Sequence, residues 1–137
     1  MTKWIAFVEG AIVIFDTDIL IWVERGSLKA ARLIECTEER LISIQTYMEL
    51  LQCAENRNQQ NISRQFLKDF GFRTLPFTEN IGHRSAIYIE EYALSDGLRA
   101  GDAIIAATAA ENNLTLCSGN AKHFRFIRDL EFKPFRP

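Results

Sequence analysis

Three acidic residues, Asp16, Glu49 and Asp102, and one amide, Asn120, each stand where an apolar run gives way to a turn or a new helix. Asp16 ends the β-branched run Ile12-Val13-Ile14-Phe15, and Glu49 falls in the first turn after Leu41-Ile42-Ser43-Ile44. Asp102 opens an alanine-rich segment, and Asn120 follows Leu114-Thr115-Leu116-Cys117-Ser118 across Gly119. One by one, each has an ordinary structural role open to it. Asp16 can cap a helix, Glu49 can complete a capping box with Thr46, Asp102 can be an acid favoured by the helix dipole, and Asn120 can be a turn residue. Gathered in one place they would do more. Two carboxylates about 5 Å apart repel by roughly 3 kcal/mol at an effective dielectric near 20, so three together require a cation or a retained proton. Oxygen-only ligands suit Mg²⁺, with Mn²⁺ as a substitute, rather than zinc. A hard cation there can acidify a water and hold a phosphate oxygen, which are the needs of phosphodiester hydrolysis.

The elements that must position these residues follow from the pattern of apolar runs. Ile12–Phe15, Leu41–Ile44 and Leu114–Ser118 read as short buried strands. Asp18 is expected to cap a helix over Ile19–Arg25 that stops at Gly26, and Ser27 opens a second through about Glu35. Thr46–Asn56 reads as a helix with Thr46-x-x-Glu49 as its capping box, and Ile62–Phe70 as an amphipathic one. Arg73–Phe77 fits a short strand and Glu79–Leu94 a helix. Gly101-Asp102 opens Ala103–Ala110, whose small residues nearly all round predict a buried, closely packed helix. One helical turn is expected in Lys122–Ile127 and a last edge strand over Leu130–Phe135. Alternating strands and helices predict an α/β/α sandwich on a mostly parallel sheet. Right-handed crossovers then put the ends after Phe15, Ile44 and Ser118 on one edge, where ligands of open α/β sheets bind.

The bulk composition agrees with this and excludes much else. The chain has 137 residues, 47% of them apolar and 25% charged, which suits one globular domain. The net charge of −2 means that any nucleic-acid contact must come from a local patch or through metal. Cys36, Cys53 and Cys117 are far apart, without metal-ligand spacing, and read as reduced thiols of a cytoplasmic protein. The apolar stretch Trp4–Val8 is broken by Glu9 and followed by Asp16 and Asp18, too short and too charged for a signal peptide or a membrane span. No glycine-rich phosphate loop or nucleophile elbow is present, and His83 and His123 have no acid or cysteine at fixed metal-site spacing.

Four stretches in order carry a resemblance: Ile14-Phe15-Asp16-Thr17-Asp18-Ile19-Leu20-Ile21; Ser43-x-x-Thr46-x-x-Glu49-Leu50; Asp102-Ala103-Ile104-Ile105-Ala106-Ala107-Thr108-Ala109; and Leu114-Thr115-Leu116 leading to Asn120-Ala121-Lys122-His123-Phe124. Over Ile12 to Pro134 the chain resembles the PIN-domain nucleases, and among them the VapC-type toxins of type II toxin–antitoxin systems. The resemblance implies a PIN-like three-layer α/β/α sandwich and a Mg²⁺-dependent endoribonuclease, with Asp16, Glu49 and Asp102 at the metal-binding positions. Asn120 matches a fourth position that is often Asp in the family, and Asp18 matches one that can hold a water of the metal. It further implies a homodimer and a cognate antitoxin whose tail enters the active-site groove. The segment 1–11 is an extra lead-in to the single domain.

Lys122, Arg99 and Arg125 flank the expected edge, where they suit either RNA backbone or a solvated face. His123 fits phosphate contact, an acid role or a surface turn, Asp96 a solvated loop, and Trp22 and Tyr47 apolar packing. Two rival functions have specific objections. A catalytically silent PIN-like binding module would not need an intact Asp16, Glu49 and Asp102. A receiver-type signalling domain would need a helix after Lys133-Pro134, yet only three residues follow Pro134.

Overall fold

The computed structural model describes residues 12–137, so the lead-in 1–11 lies outside the described residues. Five strands form one sheet: β1 (Val13–Phe15), β2 (Leu41–Ser43), β3 (Arg73–Leu75), β4 (Thr115–Ser118) and β5 (Phe132–Pro134), in the order β3-β2-β1-β4-β5. Every pairing is parallel. The expected edge strand is there as β5, held between Leu116–Ser118 and Phe132–Pro134. β1 is buried on both faces, as its uninterrupted apolar run requires.

Side chains alternate across that sheet and so define two apolar layers. Val13, Phe15, Ile42 and Cys117 face helices α1 (Thr17–Glu24), α2 (Leu28–Glu35), α3 (Ile44–Gln52) and α4 (Arg57–Asp69), where Leu20, Leu33, Leu50 and Leu67 meet them. Ile14, Leu41 and Leu116 face α5 (Glu79–Asp96) and α6 (Ala100–Glu111). Ala103, Ala106, Ala107 and Ala109 of α6 are fully buried, which small side chains permit by letting the helix lie close to both sheet and α5. A short helix α7 (Ala121–Phe124) links β4 to β5 and anchors its end with buried Phe124. This is the expected three-layer α/β/α sandwich.

Several boundaries differ from the sequence reading, each for a local reason. Asp16, not Asp18, caps α1: its carboxylate accepts from Thr17 N, and the helix begins two residues earlier than expected. Ser43, not Thr46, caps α3, its hydroxyl accepting from Thr46 N, so Ile44 is helical and the strand stops at Ser43. The capping box Thr46-x-x-Glu49 is therefore not formed, and Glu49 is free to turn into the site. Asn56 ends nothing; it caps α4 by accepting from Gln59 N, which starts that helix five residues before Ile62. Asp96 is the last residue of α5 rather than a loop residue.

The chain winds outward from β1 through β2 to β3, then crosses back to β4 and continues to β5. The direction of winding reverses between β1 and β4. A crevice opens at the carboxyl ends of two strands whose following segments part in opposite directions, and those ends are Asp16 and Ser118.

Candidate active site

The register Phe15↔Cys117 sets Asp16 beside Ser118, and Asp16 N donates to Cys117 O at 3.0 Å. Asp16 is 4% exposed. One carboxylate oxygen accepts from Thr17 N at 2.7 Å and the other from Ser118 Oγ at 2.6 Å. Burial pushes its carboxyl up to about 7, and the charge of Asp18 adds to the rise, as Asp102 does more weakly; the Ser118 and Thr17 hydrogen bonds oppose it. Ser118 Oγ in turn accepts from Asn120 N at 2.9 Å. Asn120 is thus tied to the site through its backbone, while its side chain makes no capping bond to α7.

Asp18, in the first turn of α1, accepts from Gly119 N at 2.8 Å through Oδ2. Its Oδ1 is buried and has no hydrogen-bond partner among the described residues. Burial raises its carboxyl as well. A Cβ at position 119 would stand 2.6 Å from Asp18 Oδ2 and 3.3 Å from Phe135 O, so a side chain there would push the Asp18 carboxylate aside.

Glu49 reaches the same edge from α3 and is held from two sides. Thr17 Oγ1 donates to Oε1 at 2.5 Å and Gln45 Nε2 to Oε2 at 2.9 Å. Thr46 Oγ1 lies 3.1 Å from Thr17 Oγ1. A hydroxyl has one proton, so Thr17 gives its own to the carboxylate and Thr46 donates to Thr17. Gly101 closes in from α6: a Cβ there would come within 2.9 Å of Glu49 Oε2 and 3.0 Å of Gln45 Nε2.

Asp102 occupies the first turn of α6, whose cap residue Arg99 makes no side-chain capping bond. Burial raises its carboxyl, His123 and Arg99 lower it, and Glu49 raises it. His123 Nδ1 stands 3.4 Å from Asp102 Oδ2.

The structure thus gathers Asp16, Glu49 and Asp102 at one edge, with Asn120 attached through Ser118. Three participants escaped sequence reasoning: Ser118 and Gln45 as holders of the acids and Gly101 as the space for Glu49; His123, a candidate from the sequence, stands beside Asp102. Ser118 alone had a signal, its place at the end of a central strand. Trp22 and Tyr47 pack against the apolar layer, as expected.

The donors present fit a hard divalent cation. They are carboxylate oxygens that raise one another's proton affinity, with one buried oxygen of Asp18 left unpartnered. Among the described residues no three acid, histidine or cysteine side chains already close around one point, so a bound ion would draw its ligands inward. Each oxygen that accepts one hydrogen bond keeps a second lone pair for this.

Comparison with known proteins places this arrangement. Residues 13–128 match the family described as PIN domain. A chain of a toxin–antitoxin complex from Klebsiella pneumoniae is 32% identical, with a TM-score of 0.73 over 86% of this chain and 94% of that one. A chain of VapBC2 from Rickettsia felis, bound to a DNA fragment from its promoter, superposes with a TM-score of 0.77 at 19% identity, over 91% of this chain and 99% of that one. VapBC-1 from nontypeable Haemophilus influenzae gives 0.73 at 24% identity, over 90% and 97%. The last two show the fold alone. None of the curated proteins matches the chain. With the family matched over most of its length, and a three-layer fold that puts acids at the switch point, this chain belongs to the PIN domain family.

Proposed function

We propose that the chain is a divalent-cation-dependent endoribonuclease and the toxin of a toxin–antitoxin pair, with Mg²⁺ the working ion and Mn²⁺ able to replace it. The observation that carries this reading is the crowding of buried and half-buried acids at the β1/β4 crevice: Asp16 beside Asp18, and Asp102 beside Glu49. A hard cation is the partner such a set requires, because it binds oxygen donors and relieves their repulsion. When bound, the ion supplies an electrophile for a phosphodiester oxygen and acidifies the attacking water.

The chain's own residues divide the remaining work. Asp16 and Asp102 hold the ion. Glu49, engaged by Thr17 and Gln45, contributes directly or through an intervening water. Asn120 orients a water from the β4 side. Lys122, Arg99 and Arg125 around the edge supply the local positive charge that RNA backbone needs on a molecule of net charge −2.

The toxin role is supported by the likeness to a chain of a toxin–antitoxin complex. The partner is a small antitoxin whose Arg or Lys pairs with the acid cluster and displaces the cation or bars RNA. The protein works in the cytoplasm as a homodimer. The test is cleavage of RNA by the purified full chain: it should proceed with Mg²⁺, stop with EDTA and resume with Mg²⁺ or Mn²⁺. Cleavage that survives thorough metal stripping contradicts the reading. Expression alone should arrest growth and co-expression of the antitoxin relieve it; harmless expression of an active ribonuclease would remove the toxin role.

A further inference from the structure

Among the described residues, Asp102 is the one acid of the cluster that faces an imidazole. His123 lies in α7, directly beyond the carboxyl end of β4, and its side chain is 44% exposed against 23% for Asp102. The pair therefore sits at the mouth of the site, open to ions from solvent. Its 3.4 Å separation is longer than a good N–H···O hydrogen bond and within reach of an ion pair if the imidazole is protonated. It also suits two donors of one cation, because ligands at right angles on bonds of about 2.1 Å stand about 3 Å apart. His123 makes no other ion pair among the described residues.

We propose that His123 is a nitrogen ligand of the cation held by Asp102, and that this gives the isolated protein a preference for Mn²⁺ over Mg²⁺. The inference rests on the reading of the acid cluster as a divalent-cation site and says which ion that site favours. Mg²⁺ keeps to carboxylates, phosphates and water, whereas Mn²⁺ lies further along the series of ions that accept imidazole. An all-carboxylate site would lack this discrimination.

Pulsed electron paramagnetic resonance of the Mn²⁺-loaded full chain tests the ligand itself. The sequence holds two histidines, His83 and His123. His83 lines a different cavity with Asn80, Arg84 and Asp129, so the signal can be assigned. The wild type and His83→Gln should show the ¹⁴N coupling of a directly bound imidazole, and His123→Gln should lose it. Mn²⁺ affinity should fall about tenfold in His123→Gln. Mg²⁺ affinity, read by competition, should change about twofold or less. Mn²⁺ that binds in an Asp102-dependent way without ¹⁴N coupling in the wild type overturns the inference and leaves the cation reading standing. No Mn²⁺ binding at all removes both. The wild-type spectrum decides the matter even if a variant folds poorly.

Discussion

Among the described residues, two clusters of charged side chains are built on opposite electrostatic plans. Away from the β1/β4 crevice, Arg84 of α5 joins Glu111 Oε2 at 2.6 Å and also pairs with Asp129, whose other oxygen accepts from Tyr88 at 2.9 Å. Each acid there has a cation or a hydroxyl. The guanidinium is held more firmly in its charged form, and burial pushes the Tyr88 hydroxyl up to about 12. At the crevice the balance is reversed. Among the described residues, His123 and Arg99 lower the Asp102 carboxyl, yet burial leaves the Asp16, Asp18 and Asp102 carboxyls raised. The Arg84 cluster borders a cavity of about 440 Å³, so a hollow by itself does not mark the functional site. The crowded acids at the crevice are what support the proposed site, because perturbed carboxyls of this kind cluster where a ligand completes them.

This comparison can be broken most directly at Asp102. Asp102→Ala should lower RNA cleavage by about a thousandfold or more, the loss expected when the cation is no longer held, while circular dichroism shows an intact fold. Full activity in a folded Asp102→Ala protein would contradict the assignment.

Asp16 sharpens the comparison through pH. Its carboxyl is raised from 3.8 to about 7 in the folded state, so the folded protein without metal holds a proton that the unfolded chain releases. The group is neutral towards folding below about pH 4, and its cost grows as pH rises to about 7 and is complete above it. Asp16→Asn keeps the acceptor for Thr17 N and removes the charge. At pH 8 in EDTA it should be more stable than the wild type by about 2 kcal/mol, and the difference should vanish near pH 4. Equal urea midpoints at pH 8 would show that the charge is already compensated.

Gly101→Ala tests the space around Glu49. The new methyl would meet Oε2 and the Gln45 amide, both on movable side chains, so stability should fall by only about 1 kcal/mol. Cleavage should fall about tenfold as Glu49 is displaced. An unchanged rate would mean that Glu49 need not stand where Thr17 and Gln45 hold it. Arg84→Ala is the control at the balanced cluster: it should cost about 1 kcal/mol of stability, read by urea denaturation, and leave cleavage per folded molecule unchanged. Lost cleavage there would erase the distinction between the two clusters.

Much of this was legible in the sequence, and the exceptions share a cause. Short apolar runs ending at Phe15, Ile44 and Ser118, alternating with helical periodicity, sufficed for a parallel sheet, and topology then brought Asp16, Glu49 and Asp102 to one edge. Ser43 and Thr46 are both competent caps three residues apart, and nothing local chooses between them. The choice of Ser43 turns Glu49 towards Thr17, 32 residues away in the chain. Ser118 on Asp16 and His123 on Asp102 depend in the same way on strand register and on where α7 begins, which are tertiary facts. Residue types could show which groups are able to bind a cation, but not which neighbours hold them.

The account turns on a cation completing the unbalanced cluster, and the melting temperature of the full chain with and without Mg²⁺ measures this directly. An ion that binds the folded cluster and not the unfolded chain stabilises by about 2.7 kcal/mol at one hundred times its dissociation constant, a rise of several degrees for a domain of this size. The wild type should show that rise, and Asp102→Ala should not. An equal shift in both proteins, or none in either, would contradict the account.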